Sequence, residues 1–289
     1  FGKIININLT GTAIRPKQRS EVSHMSAVEI KLTPKQEVTI VIKRISNYMF
    51  NGNIYLMTEK VFKKKELSDI IFLSVYFGAT FALILYNLFV FFYSKNFIYL
   101  SYVEFTLSLS ILLLIVFGGY DLFLYDLLGL NLTENISLFT AFLTIAGYNF
   151  CRVLFGKDYL PDNSKIFFKA LLIISLISIL VILSPFWNGI ISVIFNYLYD
   201  FLIVFVILLI FKHSYFAYKK DHPLAKLYLI SWSFILIAAT SWYSIYAGVS
   251  SESISPKFLI LFGNFAEMLT IAFSFSYKIN YLDKIESEA

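Results

Sequence analysis

Long apolar stretches, separated by short polar segments, occupy the chain from residue 67 onward. A hydrocarbon core of about 30 Å, crossed at roughly 1.5 Å per residue, needs about 20 mostly apolar residues. The stretches that meet this length run over Asp69–Tyr93, Phe97–Phe117, Asn135–Phe155, Ile166–Phe186, Gly189–Phe211, Leu224–Ala247 and Lys257–Tyr281. The pattern predicts an all-α polytopic membrane protein, a bundle of seven transmembrane helices.

Composition supports the membrane class. Hydrophobic residues make up 58% of the chain and charged residues 15%, with a mean hydropathy of +0.72. A soluble domain carries about 25% charged residues, so a soluble fold is excluded and membrane lipid is the expected surrounding. The net charge of +5 does not indicate a nucleic-acid partner, because the basic residues lie mainly in short loops. The single cysteine, Cys151, excludes an intrachain disulfide.

The residues before the first span follow a different pattern, with short alternating or β-branched runs such as Val28–Leu32 and Val38–Ile42. Similar runs at Ile4–Leu9 and Asn53–Leu56 complete a set of four predicted strands. About 60 residues with few large apolar side chains can hardly bury a core alone. We therefore expect these strands to be the end of a larger β-sandwich whose start is missing.

The domain organisation follows from these two patterns. Residues 1–66 are predicted as the C-terminal part of an extracytoplasmic β-sandwich, 67–282 as the helical membrane domain, and 283–289 as the start of a cytoplasmic linker or coiled coil. Apolar helical spacing at Ile279, Leu282 and Ile285 favours the coiled coil, although only about one heptad is present.

The loop charges predict the orientation, because Lys and Arg near the spans favour the cytoplasmic side. The loops after the first, third and fifth spans are basic, and the fifth carries Lys212, Lys219, Lys220, Lys226, His213 and His222. The loop after the second span is acidic. The N-terminus is therefore expected outside and the C-terminus in the cytoplasm, and only Lys63–Lys65 disagrees. All three histidines fall outside the spans in this assignment.

Five polar residues within the spans are candidates for a role in mechanism: Glu267, Asn87, Asp200, Glu104 and Arg152. Insertion of a carboxylate near the bilayer centre costs about 2.5–3.5 kcal/mol, so the three carboxylates are expected to face the bundle interior. Arg152 could pair with a carboxylate on a neighbouring helix. These groups could be interhelical contacts worth about 0.6 kcal/mol each, or a switch in which Glu267 exchanges partners between two packings.

Several short motifs occur in a characteristic order. Tyr86-Asn87 lies in the first span, Gly118-Gly119 follows the second, and Glu267 lies within Gly263–Ser274 of the last. Together with the preceding strands, including the Leu-Thr-Pro to Arg pattern at Leu32–Arg44, this order resembles the bacterial seven-transmembrane receptors with diverse intracellular signalling modules. The resemblance covers the whole membrane region.

The resemblance implies a sensory receptor of the bacterial inner membrane. A jelly-roll-like sensor outside would bind an unknown, carbohydrate-like ligand, and a cytoplasmic histidine kinase, diguanylate cyclase, phosphatase or adenylate cyclase would give the output. Such a module would lie downstream or act in trans, as in a two-component system. A homodimer is expected if the coiled coil forms. The chain itself is expected to be neither an enzyme nor a binder of cofactors.

A secondary transporter or ion-coupled protein is the alternative, because Glu104, Asp200 and Glu267 could bind or relay a cation. Against it, no span is interrupted by Gly/Pro pairs and no inverted repeat is visible. A retinal protein is disfavoured because Lys257 and Lys278 lie at the two ends of the last span. No catalytic or metal-binding motif is present in the sequence.

Overall fold

The computed structural model describes residues 8–10, 14, 18–19, 21, 23, 26–33, 35, 38–43, 54–120, 136–182, 189–246 and 256–288. Within the last four ranges the side chains of residues 182, 189, 192–193, 196, 200, 242–243, 245–246, 256–257 and 276–288 lie outside the description. Seven α-helices account for most of the described residues.

The helices are α1 Glu59–Ser94, α2 Phe97–Val116, α3 Ile136–Phe155, α4 Ser164–Ile182, α5 Gly189–Lys219, α6 Ala225–Tyr246 and α7 Pro256–Glu288. Six of them are long and apolar enough to cross a membrane, and α6 contributes the shorter apolar helix Ala225–Ser241. The predicted all-α membrane fold is confirmed, with each helix at a predicted span.

Most of the helices form a ring. Neighbours in space are α1 and α2, α2 and α3, α3 and α5, α5 and α6, α6 and α7, and finally α7 and α1. Helix α4 packs against α3 on the outside of this ring. The largest buried cluster lies within the ring and is rich in aromatic side chains, including Tyr102, Phe105, Phe150, Tyr228 and Phe275. This arrangement gives side chains from four or more helices access to one interior.

The residues before α1 differ from the strand prediction. The described backbone at 26–33, 38–43 and 54–58 contains no paired strand, and Val41 and Leu56 are 87% and 86% exposed. A strand is stabilised by a ladder of hydrogen bonds to a neighbouring strand, and the described part of these segments is not assigned to such a ladder. The run at Ile4–Leu9 lies mostly outside the described residues. The β-sandwich therefore stays a prediction.

Helix α1 begins ten residues before the predicted first span. Glu59 lies in its first turn, where a negative charge interacts favourably with the helix dipole, and it pairs with Lys63 one turn later. Lys63–Lys65 therefore lies on a helix. Lys65 also lies 5.4 Å from the centroid of the Tyr55 ring, which holds the charge near the preceding segment.

The helix connections at one end of the bundle are short and capped. Lys95, with φ 54°, ends α1 by donating its N–H to the Phe91 carbonyl, and the Asn96 side chain caps α2 by accepting from the Ile98 N–H. Gly156, with φ +73°, ends α3. The Lys220 ammonium donates to the Asp158 carbonyl at 2.6 Å, joining the α3–α4 and α5–α6 connections.

The placement of His213 outside the spans is wrong. Helix α5 continues to Lys219, eight residues beyond the predicted end of the fifth span, and His213 is fully buried within it. Its ring lies 5.5 Å from the Tyr148 ring on α3, and neither ring nitrogen has a hydrogen-bond partner among the described residues. The span rule missed this because Lys212 and the histidine ended the apolar run.

Helices α6 and α7 approach closely at Gly263. A Cβ atom added there would lie 2.6 Å from the Ala238 Cβ and 2.9 Å from the Phe234 carbonyl oxygen. Small residues at such crossings allow two helix backbones to pack together in a membrane. The contact between α6 and α7 is therefore tight, and it lies one turn from Glu267.

We expect Gly263→Ala to destabilise the bundle by about 1–3 kcal/mol, because the new methyl group forces α7 away from α6. Gly78→Ala is the matched control, since a Cβ at that exposed helical position would meet nothing within 4 Å. Thermal unfolding in detergent measures both variants. Equal midpoints for the two would contradict the close crossing.

Candidate signal-transmission site

Glu267 lies on the inward face of α7. The buried positions of this helix include Leu261, Asn264, Glu267, Met268 and Ile271, which recur at the three- and four-residue spacing of one helix face. The Glu267 side chain is 0% exposed. No ion pair to it exists among the described residues, so its stabilisation depends on hydrogen bonds.

A chain of hydrogen bonds joins Glu267 to α1. The Asn264 amide donates to Glu267 Oε2 at 3.4 Å, and the Tyr76 hydroxyl donates to Asn264 Oδ1. One turn along α1, Thr80 Oγ1 lies 3.9 Å from the sulfur of Met268. Tyr76 and Asn264 are 188 residues apart in sequence, so this polar contact ties the first helix to the last.

Several other polar groups are buried in the interior of the bundle. Glu267 Oε1, the Tyr102 and Tyr228 hydroxyls, Thr106 Oγ1 and Trp232 Nε1 have no hydrogen-bond partner among the described residues. Tyr102 and Tyr228 are both within electrostatic reach of the Glu267 carboxyl group; Tyr102 also lies beside Thr106, and Tyr228 beside Trp232 and Cys151. Buried polar groups in folded proteins are normally paired. The arrangement therefore leaves alternative partners for Glu267 on α2 and α6.

We call Tyr76, Asn264, Glu267, Tyr102 and Tyr228 the central polar cluster. It joins two kinds of contact. Helix α7 packs backbone to backbone on α6 at Gly263, whereas α1 and α7 meet mainly through side chains such as Tyr76, Asn264 and the Phe72–Phe258 ring pair at 4.5 Å. Side-chain contacts can be exchanged with little backbone change. The α1 side of the cluster is thus the part that can change partner.

Of the other predicted site residues, Asn87 lies in the interior without joining the cluster. Asn87 is buried, its amide donates to the Leu83 carbonyl at 2.8 Å, and its Oδ1 atom has no partner among the described residues. Its neighbour Tyr86 is 59% exposed, so the Tyr86-Asn87 motif divides between the outer and inner faces of α1. Asp200 lies on α5, and its side chain is outside the described residues.

The expectation that Glu104 faces the bundle interior is wrong. Its side chain is exposed on the outside of α2, where the Asn149 amide of α3 donates to Glu104 Oε2 at 3.3 Å. The buried face of α2 is filled by the aromatic residues Tyr102 and Phe105 on either side of it in sequence. Helix periodicity then turns residue 104 outward.

Arg152 packs differently from the predicted ion pair. Its guanidinium carbon lies 4.2 Å from the centroid of the Phe168 ring on α4, a cation–π contact. It makes no ion pair with a carboxylate among the described residues. The arginine instead fastens the peripheral helix α4 to α3, together with the bond from the Tyr148 hydroxyl to the Ser164 carbonyl at 3.1 Å.

The Gly118-Gly119 pair ends α2. Gly118 has φ 74°, a conformation that glycine adopts without strain, and its N–H donates to the Ile115 carbonyl at 3.2 Å. This turn keeps the flanking rings of Phe117 and Tyr120 buried, at 2% and 1% exposed. The motif therefore shapes the end of a helix and is separate from the polar cluster.

Sequence reasoning missed four members of the cluster: Tyr76, Tyr102, Tyr228 and Asn264. Tyrosine is common at membrane interfaces, so the residue type alone does not indicate a buried position in mid-span. A signal was present, because Tyr76 and Thr80, and Tyr102 and Thr106, each place two hydroxyls one helical turn apart. Within the described residues no group of three His, Cys, Asp or Glu could hold a metal ion.

The membrane region matches a family model described as 7TM diverse intracellular signalling, over residues 69–278. The chain belongs to this family. The match begins in α1 and ends in α7, so it contains the whole central polar cluster and supports a multi-pass membrane receptor with a signalling function. No curated protein and no solved structure is significantly similar to the chain.

We expect the Tyr76–Asn264 contact to contribute about 0.5–2 kcal/mol, as interhelical hydrogen bonds in membranes do. A double-mutant cycle of Tyr76→Phe and Asn264→Leu, measured by unfolding in detergent micelles, isolates the interaction from other effects of each substitution. Thr240→Val paired with Asn264→Leu is the control, because Thr240 is exposed and bonds only its own helix. A coupling equal to that of the control pair would refute the contact.

Proposed function

We propose that this membrane receptor passes the signal of an extracytoplasmic, carbohydrate-like ligand through its helical bundle to a cytoplasmic signalling module. The module is a histidine kinase, a diguanylate cyclase or a related enzyme, joined to α7 or acting in trans. The family match supports the receptor class. The bundle has no catalytic part in this proposal, and its task is to change its packing.

The observation that carries the proposal is the central polar cluster around Glu267. Glu267 has one oxygen paired with Asn264 and one without a partner among the described residues, while Tyr102 and Tyr228 lie within electrostatic reach of it. A ligand that favours one packing over the other shifts the population of the two. The two packings would differ in which group is hydrogen-bonded to Glu267.

Movement of α7 would carry the signal across the membrane. The close crossing at Gly263 makes α6 and α7 move as a pair, whereas the side-chain contacts to α1 can re-form in a second position. Helix α7 continues to Glu288, well past the membrane-spanning part Phe258–Phe275. A shift of this helix would reach the coiled coil of a homodimer and the module beyond it.

The proposed location is the bacterial inner membrane, with the N-terminus outside and the C-terminus in the cytoplasm. The connections between α1 and α2, α3 and α4, and α5 and α6 share one end of the bundle. Their basic residues include Lys95, Lys157, Lys165, Lys220 and Lys226. The excess of positive charge at that end supports a cytoplasmic position.

A transporter using buried carboxylates is the alternative, and the arrangement of the described residues gives it less support. Of its three carboxylates, Glu267 is buried, Glu104 lies on the outside of the bundle, and the Asp200 side chain is not described. No shared site for a cation is formed by the two that are described. Ligand-stimulated flux in reconstituted vesicles would favour transport over signalling.

We expect Glu267→Gln to change both the basal and the stimulated output of the receptor in cells by several-fold. The amide keeps the shape of the side chain but replaces an acceptor-only carboxylate by a group that also donates, which alters the balance between partners. The measurement is the activity of the coupled signalling module with and without stimulus.

Glu104→Gln is the matched control for that output, because it makes the same chemical change on the outside of the bundle. If Glu267→Gln left basal and stimulated output equal to those of the unsubstituted receptor, Glu267 would be a packing residue only. A change in Glu104→Gln of the same size would show that the effect is not specific to the interior.

We expect an alkaline phosphatase reporter fused after Lys220 to be inactive and a fluorescent protein fused at the same position to fold. Both results follow if the α5–α6 connection lies in the cytoplasm. Fusions after residue 250, between α6 and α7, should give the opposite pair of results. Alkaline phosphatase activity at Lys220 would overturn the proposed orientation.

A further inference from the structure

The outer surface of α2 and α3 carries a polar pair where lipid would be expected. The Glu104 carboxylate and the Asn149 amide meet across the two helices at 3.3 Å, and the side-chain contact is exposed. It differs from the exposed hydroxyl of Thr240, which is bonded to carbonyl groups of its own helix. Glu104 offers a second carboxylate oxygen as an acceptor, and Asn149 offers the second N–H of its amide as a donor, to whatever covers them.

Both residues lie about two turns inside helices that are long and apolar enough to cross a membrane. Glu104 is seven residues after Phe97, the first residue of α2, and Asn149 is six residues before Phe155, the last residue of α3. At the helical rise, each is about 10 Å from the same end of the bundle. The positions of Glu104 on α2 and of Asn149 on the antiparallel helix α3 therefore agree on the same distance from that end.

An exposed carboxylate at this depth is unfavourable in a single copy surrounded by lipid. Even the lenient insertion scale gives a cost of about 2.5–3.5 kcal/mol near the centre, and intramembrane carboxylates normally face protein or water. Glutamate is too short to reach the headgroups from a depth of about 10 Å without local bilayer distortion. A protein surface is the better cover.

We propose that this face of α2 and α3 is the contact between two copies of the chain within the membrane. Every copy is inserted with the same orientation, so a second copy presents its own Glu104 and Asn149 at the same depth. A two-fold axis along the membrane normal then brings acceptor and donor of one copy opposite donor and acceptor of the other. The polar pair of one copy therefore faces that of the other without a vertical shift of either copy in the membrane.

The residues along the pair suit helix packing. In the antiparallel arrangement of α2 and α3, Leu107 lies one turn from Glu104, and Phe142 lies two turns from Asn149 on the same face. Leu107 and Phe142 are each 46% exposed. The surface is thus apolar around one polar contact, and polar side chains such as Asn hydrogen-bond across helices at membrane interfaces.

This surface would be the contact between the two membrane domains of the homodimer in the proposed function. The test measures only the association of two copies, and it does not depend on signalling output. The 289-residue chain is reconstituted in liposomes and a cysteine is introduced at Leu107. Cys151 is fully buried, so the new thiol is the accessible one. Crosslinking with a short bis-maleimide should trap a dimer through Leu107→Cys. A cysteine at Ile237, 64% exposed on α6, should trap little or none.

Removal of the polar pair should weaken the dimer without unfolding the bundle. One interhelical hydrogen bond changes an equilibrium about three-fold, so loss of two symmetry-related bonds in Glu104→Leu or Asn149→Leu should reduce association about eight-fold. Glu104→Gln should retain the dimer, because the amide can still exchange hydrogen bonds. Thr240→Val is the control and should leave association unchanged.

Each possible result decides the matter. Leu107 crosslinks that are lost in Glu104→Leu and kept in Glu104→Gln support the interface. Unchanged association in Glu104→Leu, or crosslinking through Ile237 in place of Leu107, overturns it. Monomers at every protein-to-lipid ratio would also overturn it and would leave a different protein or a lipid as the cover, with the signalling proposal unaffected.

Discussion

The bundle is organised around a carboxylate that is removed from both water and lipid. Glu267 is fully buried and has no ion pair among the described residues, so hydrogen bonds from other side chains must offset the loss of its hydration. Asn264 supplies one such bond and is itself held by Tyr76 of α1. The first and last helices of the chain are thereby joined through one side chain near the middle of the candidate span Phe258–Phe275.

This arrangement combines a rigid contact with an exchangeable one. The α6–α7 crossing at Gly263 leaves no room for a side chain, and close-packed helix contacts of this kind resist sliding. The contact between α1 and α7 is made by side chains, and further hydroxyls on α2 and α6 lie near Glu267 without partners among the described residues. A bundle built in this way can adopt two packings while its helices stay intact.

Much of the fold could be predicted from the apolar periodicity, since each predicted span contains a helix in the structure. Its ends were less accurate. Helix α1 starts at Glu59 and α5 extends to Lys219, because charged residues continue a helix beyond the apolar run that crosses lipid. The burial of Glu267 followed from the cost of a charge in the membrane, and the same rule failed for Glu104. The cost of exposing a carboxylate to lipid predicts that protein shields the side chain. It does not predict whether that protein is the same chain or another one.

The partners of Glu267 could not be read from the sequence. Which of the many tyrosines reaches Asn264 depends on the rotation and height of α1 relative to α7, and those follow from the packing of the whole ring. Arg152 illustrates the same limit, because it packs on an aromatic ring of α4 and makes no ion pair with a described carboxylate. The position along the span and the residue type limit the possible partners of a buried polar group. Which of them makes the contact depends on the tertiary packing.

The most direct measurement is the distance between α1 and α7 in lipid, by electron spin resonance of labels attached at Ile71→Cys and Phe262→Cys. Both positions are exposed on the outside of the bundle, at 55% and 68%. If Glu267 exchanges partners between two packings, the protein should show two separations whose ratio changes in Glu267→Gln. A single separation, identical in both proteins, would contradict a switch at the central polar cluster.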